Sequence, residues 1–70
     1  MRGRDIVAKN IIAYRRKNEM TQEKLSEKSG LSVDAISLIE RKKTSARIDS
    51  LDQLAEAFEI SISELTKERE

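Results

Sequence analysis

Apolar residues recur at helical spacing along most of the chain. Val7, Ile11 and Tyr14 lie at positions i, i+4 and i+7, so they share one face of a first helix that runs from about residue 5 to residue 17. The clearest apolar stripe lies near the other end of the chain and consists of Leu51, Leu54, Ala55 and Phe58. Because no segment shows the alternation that is typical of a strand, the pattern predicts an all-α fold.

Two short helices are predicted in the middle of the chain. The side chain of Thr21 can cap the first of them, and Gly30 suits the left-handed position at its C-terminal end. Ser32 can cap the second, which is predicted to span about residues 33–41. Two short helices joined by a tight turn that contains glycine are typical of a helix-turn-helix.

Two further capping patterns occur in the last third of the chain. Ser50 followed by Gln53 is a capping box that predicts the start of a fourth helix at Ser50, with Asp49 as the competing cap. Ser61 followed by Glu64 is a second capping box, which predicts a short fifth helix. The sequence therefore predicts five helices in order.

The composition limits the chemistry that we expect. A chain of 70 residues predicts a single domain, 1–70, and the sequence contains neither cysteine nor histidine. Zinc sites normally use one or both of these residue types, and histidine is the commonest general base. We therefore expect no metal, no cofactor and no enzymatic activity. No apolar run approaches the roughly 18 residues of a membrane span, and the N-terminus lacks the apolar part of a signal peptide, so a cytoplasmic protein without a membrane partner is expected.

Charge is distributed unevenly, although the formal net charge is only +1. Residues 1–17 carry six basic side chains and one acidic, and residues 41–47 carry four basic side chains and no acidic one. Residues 48–70 carry two basic and seven acidic side chains. The two basic segments are suited to a polyanion such as DNA, although ordinary solvated helix surface would show the same charges.

Three segments resemble the motifs of one known family. MTQEKLSEKSGLS at 20–32 is similar to its LTQEELAEKSGLS pattern, ISLIER at 36–41 to its ISxIERG pattern, and the stretch 51–65 to its LxxLAxALxVSxxEL ending. On these motifs, the chain is identified as a member of the Cro/C1-type, or Xre-type, helix-turn-helix family over about residues 6–66. The resemblance implies a five-helix, lambda-repressor-like DNA-binding domain with the helix-turn-helix at helices 2 and 3, in a transcription regulator that is expected to be a repressor.

The resemblance also implies roles for individual residues. Gln22 occupies a position that typically contacts a DNA phosphate, with Thr21 beside it. The third helix is expected to enter the major groove, and the residues implied to face it are Ser32, Val33, Asp34, Ser37 and Leu38. The loop residues implied to meet the DNA backbone are Arg41, Lys42, Lys43 and Thr44. Arg15 and Glu40 resemble a structural ion pair that links helix 1 to helix 3.

The implied partner is double-stranded DNA. A module with one recognition helix contacts few base pairs, so we expect a homodimer on a palindromic operator whose half-sites lie about 34 Å apart. The region around Ile60 and Ile62 is the predicted dimer surface. In two places the chain departs from the family pattern, because Lys42 and Glu59 occupy positions where the family usually has glycine. These changes are expected to affect loop geometry more than the fold.

A second functional class is compatible with the same fold. The predicted groove face of helix 3 lacks glutamine, asparagine, lysine and arginine, whose donors commonly contact base edges. The fold could instead be a protein-interaction module, such as an antitoxin-like or anti-repressor partner, in which Asp34 and Leu38 meet a protein. A steep dependence of DNA binding on salt would argue against this alternative.

Overall fold

The computed structural model describes residues 3–68 of the chain. Five α-helices follow one another: α1 Gly3–Lys17, α2 Gln22–Ser29, α3 Val33–Glu40, α4 Ile48–Phe58 and α5 Ile62–Leu65. Since no strand occurs within residues 3–68, the predicted all-α, five-helix fold is confirmed. No helix in this part of the chain is both long enough and apolar enough to cross a membrane.

One apolar core joins all five helices. Each helix contributes one large side chain that is completely shielded from solvent, and these are Ile11, Leu25, Ile36, Leu54 and Leu65. Tyr14 of α1 lies half-buried against Phe58 of α4, with 5.5 Å between the ring centroids. Burial of apolar surface is the main favourable term in folding, so every helix depends on this shared centre.

The helix-turn-helix has the capping residues that the sequence predicts. The Thr21 hydroxyl accepts a hydrogen bond from the Lys24 amide, and the Ser32 hydroxyl accepts one from the Ala35 amide, both at 3.0 Å. Gly30 adopts the left-handed conformation at φ 82°. The third helix ends at Glu40, one residue before the predicted limit, and Arg41 occupies its C-cap position.

The fourth helix begins earlier than predicted. It starts at Ile48 rather than Ser50, and Arg47 occupies the N-cap position. None of the side chains described in residues 3–68 caps this helix start with a hydrogen bond. The predicted Ser50 cap is therefore wrong, and so is the competing Asp49 cap, because both residues lie inside the first turn of α4.

Gln53, the second residue of the predicted capping box, has a tertiary partner in the structure. Its side-chain amide donates to the Ser29 carbonyl oxygen at 3.2 Å, so it is bound to the end of α2 rather than to the start of its own helix. The second predicted box has its expected N-cap, because the Ser61 hydroxyl accepts from the Glu64 amide at 3.1 Å and opens α5. Of the two predicted boxes, the one at Ser61 therefore has its N-cap, whereas Ser50 lies inside α4.

A buried asparagine fixes the last helix. Asn10 is only 2% exposed, and its side-chain amide donates to the carbonyl oxygens of Leu65 at 2.7 Å and Lys67 at 2.8 Å. A helix of four residues is far too short to be stable alone. Asn10 of α1 therefore satisfies two carbonyl groups at the end of α5 and holds that helix against the core.

Among residues 3–68, Glu59 is one of three non-glycine residues with positive φ, at 58°. Left-handed backbone is costly for residues with a Cβ, and glycine adopts it freely. We expect Glu59→Gly to raise the free energy of unfolding by about 0.5–1 kcal/mol in urea titrations. Glu56→Gly is the matched control: it removes the same charge but lies within α4, so it should cost about 1 kcal/mol. An equal loss in both variants would contradict the assignment of strain to residue 59.

Candidate nucleic-acid interface

The turn between α2 and α3 is held by side chains of α2. The Ser26 hydroxyl donates to the Leu31 carbonyl oxygen at 2.6 Å, and the Leu31 amide donates to the Ser29 hydroxyl oxygen at 3.1 Å. A Cβ at Gly30 would lie 3.4 Å from the side-chain nitrogen of Gln53, so α4 covers the turn. These contacts satisfy both backbone polar groups of Leu31 and fix the angle between the two helices.

Glu40 at the end of α3 is bound by two other helices. Its carboxylate accepts from Arg15 twice, from Nε at 2.8 Å and from Nη2 at 3.1 Å, so the expected ion pair between α1 and α3 is present. The same carboxylate accepts from the Gln22 side-chain amide at 3.1 Å. A further Arg15 nitrogen donates to the Met20 carbonyl oxygen at 3.1 Å. Glu40 is 8% exposed, so these three helices meet at a largely desolvated carboxylate.

Gln22 is the first residue of α2 and is half-buried. Its contact with Glu40 uses one of the two hydrogens on the side-chain nitrogen, so one hydrogen and the amide oxygen are not used by this bond. The start of α2 consequently lies beside the end of α3. The predicted phosphate contact of Gln22 stays a prediction, but the structure shows what holds this side chain in place.

The two faces of α3 differ in burial. Ile36, Ile39 and Glu40 face the core and are buried. The residues predicted to face the groove lie on the other side or at the helix start: Ser32, Asp34 and Leu38 are exposed, and Val33 and Ser37 are half-buried. Leu38 is 39% exposed, which is unusual for a large apolar side chain of this molecule. The outer face of α3 is therefore accessible to a partner.

The loop after α3 is exposed and basic at its start, where the residues are Arg41, Lys42, Lys43 and Thr44. The Lys43 amide donates to the Leu38 carbonyl oxygen at 2.9 Å, which ties the loop to the helix. Lys42 has the left-handed φ of 63°, and its ammonium lies 4.0 Å from the Asp5 carboxylate of α1. The loop therefore presents cations beside Glu40, where the start of α2 also lies.

Residues 11–65 match a family model described as helix-turn-helix. The chain belongs to the Cro/C1-type helix-turn-helix family. The chain is also similar to the control protein C.SmaI of Serratia marcescens, with 37% identity over 62 residues, covering 89% of this chain and 74% of that protein. The predicted family and its DNA-binding, transcription-regulating function are confirmed.

The fold of this helix-turn-helix protein has a solved counterpart. A crystal structure of the hypothetical transcription factor NHTF from Neisseria matches it with a TM-score of 0.90 at 24% identity, covering 96% of this chain and 77% of that one. At 24% identity, this structural similarity supports the fold alone. The arrangement of the five helices is therefore one that a solved protein also adopts.

The residues that the family resemblance singled out fall into two groups on the helix-turn-helix. Gln22 is bound to Glu40, so the start of α2 with Thr21 and Gln22 lies beside the end of α3, where the loop 41–44 begins. Ser32 opens α3 at its opposite end, roughly 12 Å away along a helix of eight residues. Gln53 supports the turn by its bond to Ser29, a role that its predicted place in a capping box did not indicate. Its place between Leu51 and Leu54, at the margin of the apolar stripe, is the signal that could have indicated a neighbouring helix.

Proposed function

We propose that this transcriptional regulator binds a specific operator with α3 in the major groove and with the start of α2 and the loop 41–44 on the DNA backbone. The observation that carries the proposal is the Glu40 carboxylate, which holds Gln22 of α2 and Arg15 of α1 while the outer face of α3 stays exposed. The major groove admits an α-helix of this kind. The angle between α3 and the body is then set before DNA is bound.

The backbone contacts are assigned to groups that suit phosphate. The Thr21 hydroxyl accepts from the Lys24 amide and keeps its own hydrogen for a phosphate oxygen. The remaining hydrogen on the Gln22 side-chain nitrogen is a second donor, and Lys43 supplies a cation that is free of ion pairs within residues 3–68. Such contacts orient a protein on the duplex without distinguishing sequences.

We propose a homodimer on a palindromic operator. One α3 of eight residues, roughly 12 Å long, spans only a few base pairs. The molecule measures 28 × 23 × 21 Å, so two adjacent copies are compatible with recognition helices about 34 Å apart on one face of DNA. Ile60 and Ile62 are half-buried and form the proposed dimer surface. We propose that the bound protein represses transcription, because a protein that occupies an operator excludes other proteins from that DNA. It is further proposed to act in the cytoplasm and to have no catalytic activity.

Selection from a random duplex library tests this proposal. We expect an enriched inverted repeat, and binding of the selected duplex should weaken steeply between two salt concentrations because phosphate contacts release counterions. Absence of enrichment, together with weak binding at low salt, would contradict the proposal. That outcome would favour a protein partner for the exposed Leu38 and Asp34, which a pull-down could identify.

Lys43→Ala and Gln22→Ala are expected to weaken binding to all DNA sequences by similar factors. Loss of the lysine should also reduce the salt slope by about one, because one phosphate neutralisation is removed. The matched control is Lys67→Ala, which removes the same charge beyond α5. Affinities for a selected and an unrelated duplex at several salt concentrations provide the measurement. Unchanged affinity in both variants, or an equal loss in the control, would contradict the backbone assignment.

A further inference from the structure

The structure places a guanidinium group over the outer face of α3. Arg41 follows the last residue of the helix, and its Nε donates to the Ser37 hydroxyl oxygen at 3.2 Å. Ser37 lies one turn earlier, among the residues predicted to face the groove. The Arg41 side chain therefore folds back along the helix instead of following the loop.

The Nη groups of Arg41 are available to a ligand. Ser37 is the side-chain partner of its Nε, and within residues 3–68 no carboxylate lies within 4.0 Å of the guanidinium. The other cations near this site are arranged differently. Arg15 is bound to Glu40 and Met20, and Lys42 faces Asp5. Arg41 is thus an exposed forked donor whose orientation is set by a neighbour on the same helix.

Two parallel N–H donors match one base in particular. Guanine presents the O6 and N7 acceptors side by side in the major groove, and arginine commonly binds both. The recognition face offers no other side chain with such paired donors, since it consists of Ser32, Val33, Asp34, Ser37 and Leu38. We propose that Arg41 contacts a guanine in each operator half-site and that Ser37 positions its guanidinium. This role differs from the backbone contact that the family resemblance implies for Arg41.

The proposal rests on the proposed function, because it requires α3 to lie in the major groove. If α3 does so, the Arg41 guanidinium, held at the level of Ser37, lies on the side of the helix that faces base edges. Lysine at this position would keep the positive charge but lose the planar pair of donors. Arg41→Lys therefore separates base recognition from general attraction to phosphate.

The experiment compares the full chain with its Arg41→Lys variant on the operator selected by the wild type and on duplexes with each half-site guanine replaced. For one guanine, we expect the wild type to discriminate by about 5- to 150-fold. Arg41→Lys should lower that ratio by at least about 3-fold, because an ammonium can reach guanine but cannot hold both acceptors with a planar pair of donors. The salt slope should be unchanged, since the charge is retained. Ser37→Ala should reduce discrimination at the same base pair only, and by a smaller factor.

Lys43→Ala is the matched control, and we expect it to lower affinity for every duplex without changing any preference. Urea unfolding of each variant shows whether the fold is retained. An Arg41→Lys variant with wild-type base preferences, or with an equal loss of affinity on all duplexes, would overturn the assignment of Arg41 and leave the proposed function standing. A selected operator without a guanine in its half-site would also overturn the assignment of Arg41 alone. A wild-type protein without any base preference would overturn both the Arg41 assignment and the proposed function.

Discussion

Replacing Glu40 by alanine is expected to lower the free energy of unfolding by about 3 kcal/mol. The carboxylate is 8% exposed and accepts hydrogen bonds from Arg15 and Gln22. Its removal leaves the largely buried guanidinium of Arg15 without a counter-charge and the side-chain amide of Gln22 without an acceptor. Both groups stay partly shielded from water without the bond that offsets the cost of desolvation. Urea denaturation followed by circular dichroism measures the change.

Two further variants test the cause of this loss. Glu27→Ala removes a carboxylate that is 73% exposed and 4.0 Å from Lys24, so it should cost less than about 0.5 kcal/mol. The double variant Arg15→Met with Glu40→Leu replaces both charges by apolar groups, and it should be more stable than Glu40→Ala alone. If the double variant were instead less stable than Glu40→Ala, desolvation of the unpaired arginine would not be the cause.

Leu54→Ala is expected to destabilise the protein by about 3 kcal/mol. Leu54 is completely buried in α4, which packs against α2 and carries the glutamine that supports the helix-turn-helix. Truncation removes apolar contacts and leaves a cavity that close-packed neighbours fill only in part. Small domains can have total stabilities of only about 5 kcal/mol. In thermal scans we therefore expect this variant to unfold at a clearly lower temperature than the wild type.

Ile48→Ala provides the control for this prediction. Ile48 is the first residue of the same helix and is 68% exposed, so its truncation should change the unfolding free energy by less than about 0.5 kcal/mol. Similar losses in the two variants would contradict the assignment of the Leu54 effect to the core, because alanine is the better helix former at both positions.

Most of the fold could be predicted from periodicity. Apolar residues at helical spacing share one face of a helix, and that face packs against the core. Four residues of the predicted stripes are accordingly buried: Val7, Ile11, Leu54 and Phe58. The helix ends that were predicted lie within three residues of the observed ones. The largest error is the start of α4, where the helix begins before the predicted Ser50 cap and Gln53 instead donates to a carbonyl oxygen 24 residues earlier.

The candidate site was predicted from motif resemblance rather than from chemistry. The resemblance implied the Arg15–Glu40 ion pair, which is present. The other supporting contacts could not be predicted, because they join residues that are distant in sequence: Gln22 and Glu40 are 18 residues apart, and Asn10 bonds a carbonyl 57 residues away. No local pattern distinguishes a polar side chain with such a partner from one that faces water. The orientation of Arg41 likewise depends on a side chain and not on a motif.

The separation of the two faces of α3 has an evolutionary consequence. The inner face carries the core residues and Glu40, whereas the outer-face side chains of Val33, Asp34 and Leu38 form no hydrogen bond or ion pair within residues 3–68. Substitutions there change few contacts that hold the protein together, so under the proposed function target preference can diverge without loss of stability. Duplicated copies of such a gene could therefore acquire separate regulons quickly, and the same property makes the protein a convenient starting point for orthogonal switches in synthetic circuits.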